Sequence, residues 1–462
     1  MSDAVVAEKP KLQRSFHAII PHPDPAELSI LLCPAGGEGE EWALPSYEPE
    51  EGWFPVVGPL NRGLREQLGI TAVTLRCLKF EIDREVKKQV DAIHCMENLS
   101  PDWTLPEHLR WAGREELAGL RLAFEEQRLV IEDWFAETAS GAIPPRRVPW
   151  AVRGWYDAAT EWVRDRLAER GVVMAGPPEQ IKQWGISSIL RVPTDDGDYY
   201  LKAAYCHFAH EPAVTQALAR MYPGQVPDPL AVLVEPEQGW MLMRDFSGDA
   251  HDLWDATAAQ LEEVLHMYAR MQIGCIERVD ELLAAGFVDR RLDVLATQMD
   301  ELLADPKSLE GLTEEEVEKL KGAAPRVKEM CARLESYGVP QTLSHGDFHG
   351  GNVIEKGGSY LIFDWTDACI AHPFLDLVVI TGSNSSGKLT PEERDRLRDA
   401  YLEQWMAYAP MEQLREAARL ARVLGALHQA VSYKQIIDSF EDAARWEFAG
   451  ATAQWLRPVL EI

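Results

Sequence analysis

The chain has 462 residues, with 75 acidic side chains, 46 basic ones and a net charge of -29. This acidity argues against binding to nucleic acid or to an anionic membrane surface, because both need a basic face, and it is compatible with a cationic small-molecule partner. The 46% hydrophobic and 26% charged residues are typical of a globular protein, and the length predicts two or three domains.

The cysteine content and the N-terminal residues indicate the cellular compartment. The seven cysteines are an odd number without metal-binding spacing and lie mostly in apolar segments, so we expect reduced core residues. The N-terminal residues lack the basic and apolar regions of a signal peptide, and no apolar run approaches the roughly twenty residues of a membrane helix. We therefore predict a cytoplasmic protein without a membrane partner. The oligomeric state stays open.

The first predicted elements follow a flexible tail over residues 1–12 and alternate between short strands and helices. Turns rich in proline and glycine separate the strands, and the first helix is amphipathic and ends at Gly69. The predicted strands cover residues 16–20, 28–33, 42–45, 70–75 and 90–96, and the predicted helices cover residues 60–68 and 125–137.

The first helix resembles part of a known motif. The stretch Arg62-Gly-Leu-Arg-Glu-Gln-Leu-Gly-Ile70 is similar to the metal-binding helix of the Nudix family. Gly63 and Gln67 stand where that family has glutamates, so a divalent ion would lack its charge partners. The resemblance implies that residues 13–142 form a Nudix-like α/β/α domain, and we expect this domain not to be catalytic.

A predicted linker and a hairpin follow. Prolines break the chain within residues 143–150, and a helix then continues to Gly171. The hairpin spans residues 184–204. Its first part carries Gly185, Ser187 and Ser188, whose backbone and hydroxyl groups would approach phosphate oxygens.

The second strand of this hairpin carries Lys202 between apolar neighbours. A lysine in such a strand is disfavoured unless its charge is satisfied, so Lys202 is the candidate ligand of the α- and β-phosphates. An outward-facing strand lysine is the alternative. Further strands are predicted at residues 229–234 and 239–243. The predicted helices cover residues 211–221, 257–274, 289–303, 314–337, 391–408, 411–431 and 440–460.

Two polar loops late in the chain carry the catalytic candidates. Asp347 and Asn352 lie in a tight loop between apolar segments, and a short apolar strand delivers Asp364. A carboxylate suits the base that orients a substrate hydroxyl, and an amide and a carboxylate oxygen suit Mg²⁺. An aspartate in a turn can also merely accept backbone hydrogen bonds. The ordered trio, with its Asp-x4-Asn spacing, favours phosphoryl transfer.

These segments resemble one enzyme family over about residues 150–462. His345-Gly-Asp-Phe-His-Gly-Gly-Asn352, with Phe363-Asp-Trp-Thr-Asp367 and His372-Pro-Phe-Leu-Asp-Leu377, is similar to the aminoglycoside phosphotransferase and choline kinase-like family of small-molecule kinases. The resemblance implies an α+β protein with a bilobal protein-kinase-like fold. Residues 151–248 would form a leading helix, a small β-rich N-lobe and a hinge, and residues 249–462 a large helical C-lobe.

The resemblance also implies roles for other residues. Glu211, at the start of a predicted helix, would orient Lys202, although it could instead be an ordinary first-turn acid that complements the helix dipole. Backbone groups near Met243 and Asp245 would hold the purine. Asp376 would brace the catalytic loop.

We therefore expect an enzyme that uses ATP, in preference to GTP, and Mg²⁺ to phosphorylate a hydroxyl of an aminoglycoside-like compound or another metabolite. Three alternatives remain open: a nucleotide-binding regulatory pseudokinase, a Nudix-type pyrophosphohydrolase regulated by the kinase-like domain, and a protein kinase. The acceptor itself cannot be inferred from a fold resemblance.

Overall fold

The structure is a computed structural model that describes residues 12–36, 41–84, 89–248, 250–382 and 389–461. Its contacts divide the chain into two compact units. Unit 1 comprises Met1–Ala203 and Phe440–Ala444, and unit 2 comprises Ala204–Ser439 and Arg445–Ile462. The predicted tail lies outside the described residues except for Leu12. The predicted boundaries at residues 142, 150 and 248 stay predictions.

The described part of unit 1 contains three groups of strands and four helices. The strands are β1 Gln13–Ile19, β2 Ser29–Pro34, β3 Glu41–Ala43, β4 Ser46–Tyr47, β5 Ala72–Asp83, β6 Gln89–Asn98, β7 Arg110–Gly113, β8 Arg121–Leu122, β9 Glu179–Gln183, β10 Ser187–Thr194 and β11 Gly197–Tyr205, which ends two residues beyond the unit. The helices are α1 Gly58–Leu68, α2 Arg114–Ala118, α3 Arg128–Ser140 and α4 Trp155–Ala168.

Two four-stranded sheets and α3 enclose the core of the first part of unit 1. The strand orders are β4-β1-β6-β5 and β7-β2-β3-β8, and β1 runs parallel to β6. Helix α3 contributes Ile131, Trp134 and Phe135, whose spacing of three and four places them on one helical face. They pack with strand residues such as Ile30 and Ile93. The predicted strands and helices of this segment are confirmed.

Helix α1 packs tightly within unit 1. A Cβ atom on Gly63 would lie 2.2 Å from Cδ2 of Tyr47, so no larger side chain fits at this position without displacing the ring. Gln180 of β9 anchors the neighbouring strand: its Oε1 accepts from the Thr74 N–H at 2.7 Å and its Nε2 donates to the Thr74 carbonyl at 2.8 Å. The segments before and after the predicted linker therefore share one hydrogen-bonded interior.

A late segment of the chain completes unit 1. The Arg147 Nε donates to both carboxylate oxygens of Glu441, at 2.8 and 2.7 Å, and its Nη1 donates to Glu137 at 3.0 Å. Burial alone would lower the pKa of Arg147, but these two carboxylates raise it overall. The result is a buried ionic cluster that joins positions 294 residues apart.

The described part of unit 2 consists of short strands and nine helices. The strands are β12 Ala231–Glu235, β13 Gln238–Arg244, β14 His251–Asp252, β15 Val288–Asp289, β16 Thr342–Ser344, β17 Val353–Lys356, β18 Ser359–Ile362 and β19 Cys369–Ala371. The helices are α5 Glu211–Met221, α6 Ala258–Gly274, α7 Val279–Ala284, α8 Leu292–Ala304, α9 Glu314–Glu335, α10 Leu377–Ile380, α11 Pro391–Glu403, α12 Met411–Ser439 and α13 Ala451–Leu456. The predicted α+β class is confirmed.

Most helices of unit 2 follow the predictions, with one correction at the end of the chain. Helix α12 extends to Ser439, beyond the predicted residue 431. The predicted helix over residues 440–460 is wrong, because the chain instead forms the 3-10 segment Asp442–Phe448 and then α13. Gly450 interrupts the helical path with a left-handed φ of 80°.

No described helix combines the length and apolar character that crossing a membrane would demand. No disulfide bond joins any of the seven cysteines, all of which lie within the described residues.

Candidate active site

The loop that carries Asp347 and Asn352 follows β16, and Asp364 lies just beyond the end of β18. These strands belong to two different three-stranded sheets, β15-β19-β16 and β14-β17-β18. Hydrogen bonds at Phe363 join the two strand ends. Its N–H donates to the Asn352 carbonyl at 3.0 Å, and its carbonyl lies 3.0 Å from His345 Nε2. Burial lowers the pKa of His345, which favours a neutral ring that donates from Nε2.

The side chain of Asn352 is oriented by the loop itself. It is buried, and its Nδ2 donates to the main-chain carbonyl of Asp347 at 3.0 Å. Since the amide nitrogen is committed to this carbonyl, Oδ1 is the atom of Asn352 that can serve as a cation ligand.

Asp364 adopts an unusual backbone conformation. Its φ of 61° and ψ of 58° place it in the left-handed region, which costs a residue other than glycine about 1–3 kcal/mol. Its Oδ1 accepts a short hydrogen bond from the Thr366 hydroxyl. The fold therefore maintains a strained residue at the position predicted to bind a metal, as is common at functional sites.

Asp347 is one of the residues that line a cavity of about 670 Å³ in unit 2. The side chain is 46% exposed, and His349 Nε2 lies 3.5 Å from its Oδ2. Nδ1 of the same imidazole accepts from the Gly351 N–H at 3.0 Å, so a neutral ring carries its proton on Nε2, toward Asp347. This arrangement suits a base that is exposed to a substrate and oriented by a neighbour.

The buried carboxylate of Asp376 holds the loop in place through hydrogen bonds. It accepts hydrogen bonds from the Ser344 hydroxyl at 2.7 Å, from the Gly346 N–H at 3.0 Å and from the His345 N–H at 3.2 Å. It also accepts a short hydrogen bond from the Tyr268 hydroxyl of α6. The expected bracing role of Asp376 is thus visible in its contacts, whereas Tyr268 was not identified from the sequence.

Asp367 is a second residue that sequence reasoning missed, although the motif contains it. Its Oδ1 accepts from the Ser432 hydroxyl at 2.6 Å. Burial, reinforced by the negative charge of Asp347, raises the pKa of Asp367 to about 6. The Asp367 carbonyl also requires a glycine in the loop, since a Cβ atom on Gly346 would lie 2.4 Å from this oxygen.

The loop residues predicted to contact phosphate lie in unit 1, where β10 begins after Gly185. The Ser187 hydroxyl accepts from Trp184 Nε1 at 2.9 Å. The Ser188 hydroxyl is fully buried and donates to Gln183 at 2.6 Å, a position that gives no support to a direct phosphate contact. Lys202 is half-buried on β11.

Three further predicted residues lie in unit 2. Glu211 begins α5 and is fully buried, unlike a solvated first-turn acid. Met243 is buried near the end of β13. Burial would raise the pKa of Asp245, but hydrogen bonds from the Ser247 hydroxyl at 2.6 Å and from the backbone N–H groups of Gly248 at 3.2 Å and Ser247 at 2.9 Å hold it below the ordinary value. The structure thus brings Asp347, Asn352 and Asp364 together, and the nucleotide-binding roles stay predictions.

A family model described as "Phosphotransferase enzyme family" matches residues 183–416. No curated protein shows significant similarity to the chain.

Several solved structures resemble part of the chain. A macrolide 2'-phosphotransferase type I is 16% identical, with a TM-score of 0.45, and the match covers 64% of this chain and 97% of that one. An ethanolamine kinase from Plasmodium vivax is 10% identical, with a TM-score of 0.42 and coverage of 61% and 82%. A spectinomycin phosphotransferase in complex with ADP and spectinomycin is 13% identical, with a TM-score of 0.40 and coverage of 65% and 96%.

Proposed function

The chain belongs to the phosphotransferase enzyme family, and we propose that it transfers the γ-phosphoryl group of ATP to a hydroxyl of a small molecule. The predicted enzyme class, a small-molecule kinase, is confirmed by this membership. The specific proposal is carried by the hydrogen bonds of Phe363 to Asn352 and His345. Because Phe363 directly precedes Asp364, these bonds support the placement of Asp364 next to the loop.

In the proposed reaction, Asp347 binds and orients the acceptor hydroxyl. Its partly exposed carboxylate faces the cavity in which the acceptor would lie, and it takes the hydroxyl proton as the oxygen attacks phosphorus. His349, which lines the same cavity, contacts this carboxylate through Nε2 at 3.5 Å and would help to orient it. Positioning of this kind supplies much of the catalysis in phosphoryl transfer.

Asn352 and Asp364 fit the binding of Mg²⁺. The amide of Asn352 is fixed so that its oxygen can face a cation, and Asp364 supplies a carboxylate on the adjoining segment. Few protein ligands suffice because Mg²⁺ takes its remaining ligands from phosphates and water. When bound, Mg²⁺ neutralises negative charge on the phosphates.

The remaining nucleotide contacts complete the proposal. Lys202 would bind the α- and β-phosphates, with Glu211 as its orienting carboxylate, and the backbone at Gly185 and Ser187 would cover the phosphates. Ser188 is not among the proposed phosphate contacts, because its hydroxyl is buried. Backbone groups at Met243 and Asp245 would hold the purine, and ATP is proposed ahead of GTP.

The proposal is tested by transfer of labelled phosphate from ATP or GTP to a panel of hydroxyl compounds with Mg²⁺, together with nucleotide binding. We expect Asp347→Asn to reduce transfer about a hundredfold or more while nucleotide binding persists. Asp395→Asn, an exposed surface change on α11, is the matched control. Undiminished transfer in Asp347→Asn contradicts the mechanism. Nucleotide binding without any phosphate consumption favours the regulatory alternative, and label on protein favours a protein kinase.

We also propose that residues 13–142 form a non-catalytic Nudix-like domain, joined through a linker at residues 143–150 to the kinase-like N-lobe at 151–248 and C-lobe at 249–462. The contact between Gly63 and the Tyr47 ring supports the loss of catalysis, because it leaves no space for the glutamate of the Nudix pattern. The full-length protein should not cleave ADP-ribose with Mg²⁺. Cleavage that disappears in Glu66→Gln would instead support the pyrophosphohydrolase alternative.

A further inference from the structure

About half of the described residues that line the cavity beside Asp347 are apolar or aromatic. Its volume of about 670 Å³ is within the range of small-molecule sites. Trp254, Tyr433 and Trp455 contribute aromatic side chains, and Val378 and Val379 contribute aliphatic ones. Such a lining suits a ligand with a ring or another apolar face, which the hydrophobic effect would hold against these side chains.

The net charge of the cavity lining is opposite in sign to the net charge of the whole chain. The chain has many more acidic than basic side chains, 75 against 46. Among the described residues that line the cavity, however, Asp347 is the one carboxylate, while Arg394 and Arg422 are two permanent cations. Since Asp347 is assigned to the reacting hydroxyl, the permanent charges that remain in the lining are the two arginines.

Arg394 is in an environment that an anion would improve. It is the fourth residue of α11, where a positive charge opposes the helix dipole, and Glu392 and Glu393 precede it without an ion pair to Arg394 among the described contacts. Its Nε is buried and has no hydrogen-bond partner among the described residues. Other arginines of the same helix are paired: Arg396 contacts Glu262 at 2.6 Å, and Arg398 contacts Asp395 at 2.6 Å. Arg394 thus forms no ion pair among the described residues, and because it lines the cavity its guanidinium is available to an anion bound there.

Arg422 of α12 offers a second, more accessible cation. Its side chain is 64% exposed, and its Nη1 lies 3.6 Å from Glu461 Oε2. An exposed pair at this distance contributes little, so a ligand can take the place of Glu461 at small cost.

We propose that the acceptor substrate carries an anionic group, a carboxylate or a phosphate, which Arg394 and Arg422 bind while a ring or apolar face packs on the aromatic lining. The inference rests on the proposed function, because it takes Asp347 as the base that defines the acceptor cavity. An anionic acceptor differs from the cationic small molecule with which the net charge of the chain is compatible. A polycationic acceptor in this cavity would be repelled by the two arginines. Arginine matches both candidate anions through its planar pair of N–H donors.

Four compounds on one pyranose skeleton test the proposal: glucuronate, glucose 6-phosphate, glucose and glucosamine. Binding of each to the full-length protein with Mg²⁺ and ADP is measured by thermal stabilisation, and transfer is measured with ATP. We expect one or both anionic members to bind about tenfold or more tightly than glucose and glucosamine, and the two anionic arms distinguish carboxylate from phosphate.

Arg394→Gln should remove this preference while the affinity for ATP is unchanged, and Arg396→Gln on the same helix should preserve it. Arg422→Gln changes an exposed residue and serves as a second variant if Arg394→Gln folds poorly; it should weaken the preference.

Equal binding of the four compounds, including no binding by any of them, overturns the proposed acceptor class, as does a preference that survives in both arginine variants. These outcomes leave the kinase proposal intact if ATP is still consumed in an Asp347-dependent reaction. Absence of any ATP consumption, by contrast, contradicts the proposed function itself.

Discussion

The side-chain amide of Asn352 donates a hydrogen bond of 3.0 Å to the main-chain carbonyl of Asp347. The proposed metal ligand therefore also fixes the backbone of the proposed base. A change at Asn352 should therefore affect both the binding of the cation and the position of the reacting hydroxyl. The two effects can be measured separately.

Asn352→Asp keeps an oxygen ligand but loses the N–H donor and places a carboxylate against the Asp347 carbonyl. We expect transfer to fall about 10- to 100-fold, as for other changes in groups that orient metal ligands. Asn352→Ala removes the ligand as well and should in addition raise the Mg²⁺ concentration needed for half-maximal rate. Rates measured across a Mg²⁺ titration separate the two effects. Asn98→Ala, a buried asparagine of unit 1, is the control, and an identical Mg²⁺ dependence in Asn352→Ala and this control would show that Asn352 is not a ligand.

Asp376→Asn should weaken the catalytic loop without touching substrate. An asparagine offers an N–H₂ group where the carboxylate now accepts from Ser344, His345 and Gly346, so at least one buried donor loses its acceptor. The cost should be about 1–3 kcal/mol in the free energy of unfolding, measured by urea denaturation, with a lower rate of transfer. Asp395→Asn on the surface should change neither. Unchanged stability and rate in Asp376→Asn would show that the brace is dispensable.

The stability of the protein should depend on pH through Asp367. Its folded-state pKa is about 6, above the ordinary 3.8, so the folded protein keeps a proton that the unfolded chain has released. This carboxyl therefore reduces stability as the pH rises from about 4 to 6, and the reduction is constant above that range. Relative to the wild type, Asp367→Asn should gain stability across that interval, as measured by urea unfolding in Mg²⁺-free buffer. Parallel stability profiles for the two proteins would contradict the assigned pKa.

Glu441→Gln should destabilise unit 1. The change leaves Arg147 buried with Glu137 as its remaining carboxylate partner among the contacts described. Loss of one partner from a buried ion pair costs about 3–5 kcal/mol, and the retained Glu137 contact places the expected loss near the lower figure. Urea denaturation measures this change, with Glu461→Gln at an exposed position as the control. Equal midpoints for the two variants would indicate that the buried cluster contributes no stability.

Local patterns in the sequence were enough to identify the three residues of the candidate site, because these residues lie in two short segments close together in the chain. Asp347 and Asn352 are close in the chain, and Asp364 ends a short strand whose apolar residues identify it. Asp376 could be assigned through the family resemblance. Tyr268 could not, because it lies 108 positions before its partner Asp376 and, within an amphipathic helix, looks like an ordinary core residue.

Packing between residues that are far apart in the chain explains the features that the sequence did not predict. The raised pKa of Asp367 arises from packing and from the charge of Asp347, neither of which a spacing rule describes. Arg394 is one of several arginines on α11, and only its missing acceptor distinguishes it. Similarly, the contact of Gln180 with Thr74 joins positions 106 apart and was not apparent from the prolines at the predicted linker.

The placement of Phe440–Ala444 in unit 1 has a consequence for synthesis on the ribosome. At about 5–20 residues per second, Glu441 is added roughly 15 to 60 s after Arg147. During that interval the guanidinium of Arg147 has Glu137 available but lacks Glu441, its second carboxylate partner, which has not been translated. The earliest-made half of the protein is consequently among the last to reach its finished form, and a chain that terminates before residue 440 would never complete it.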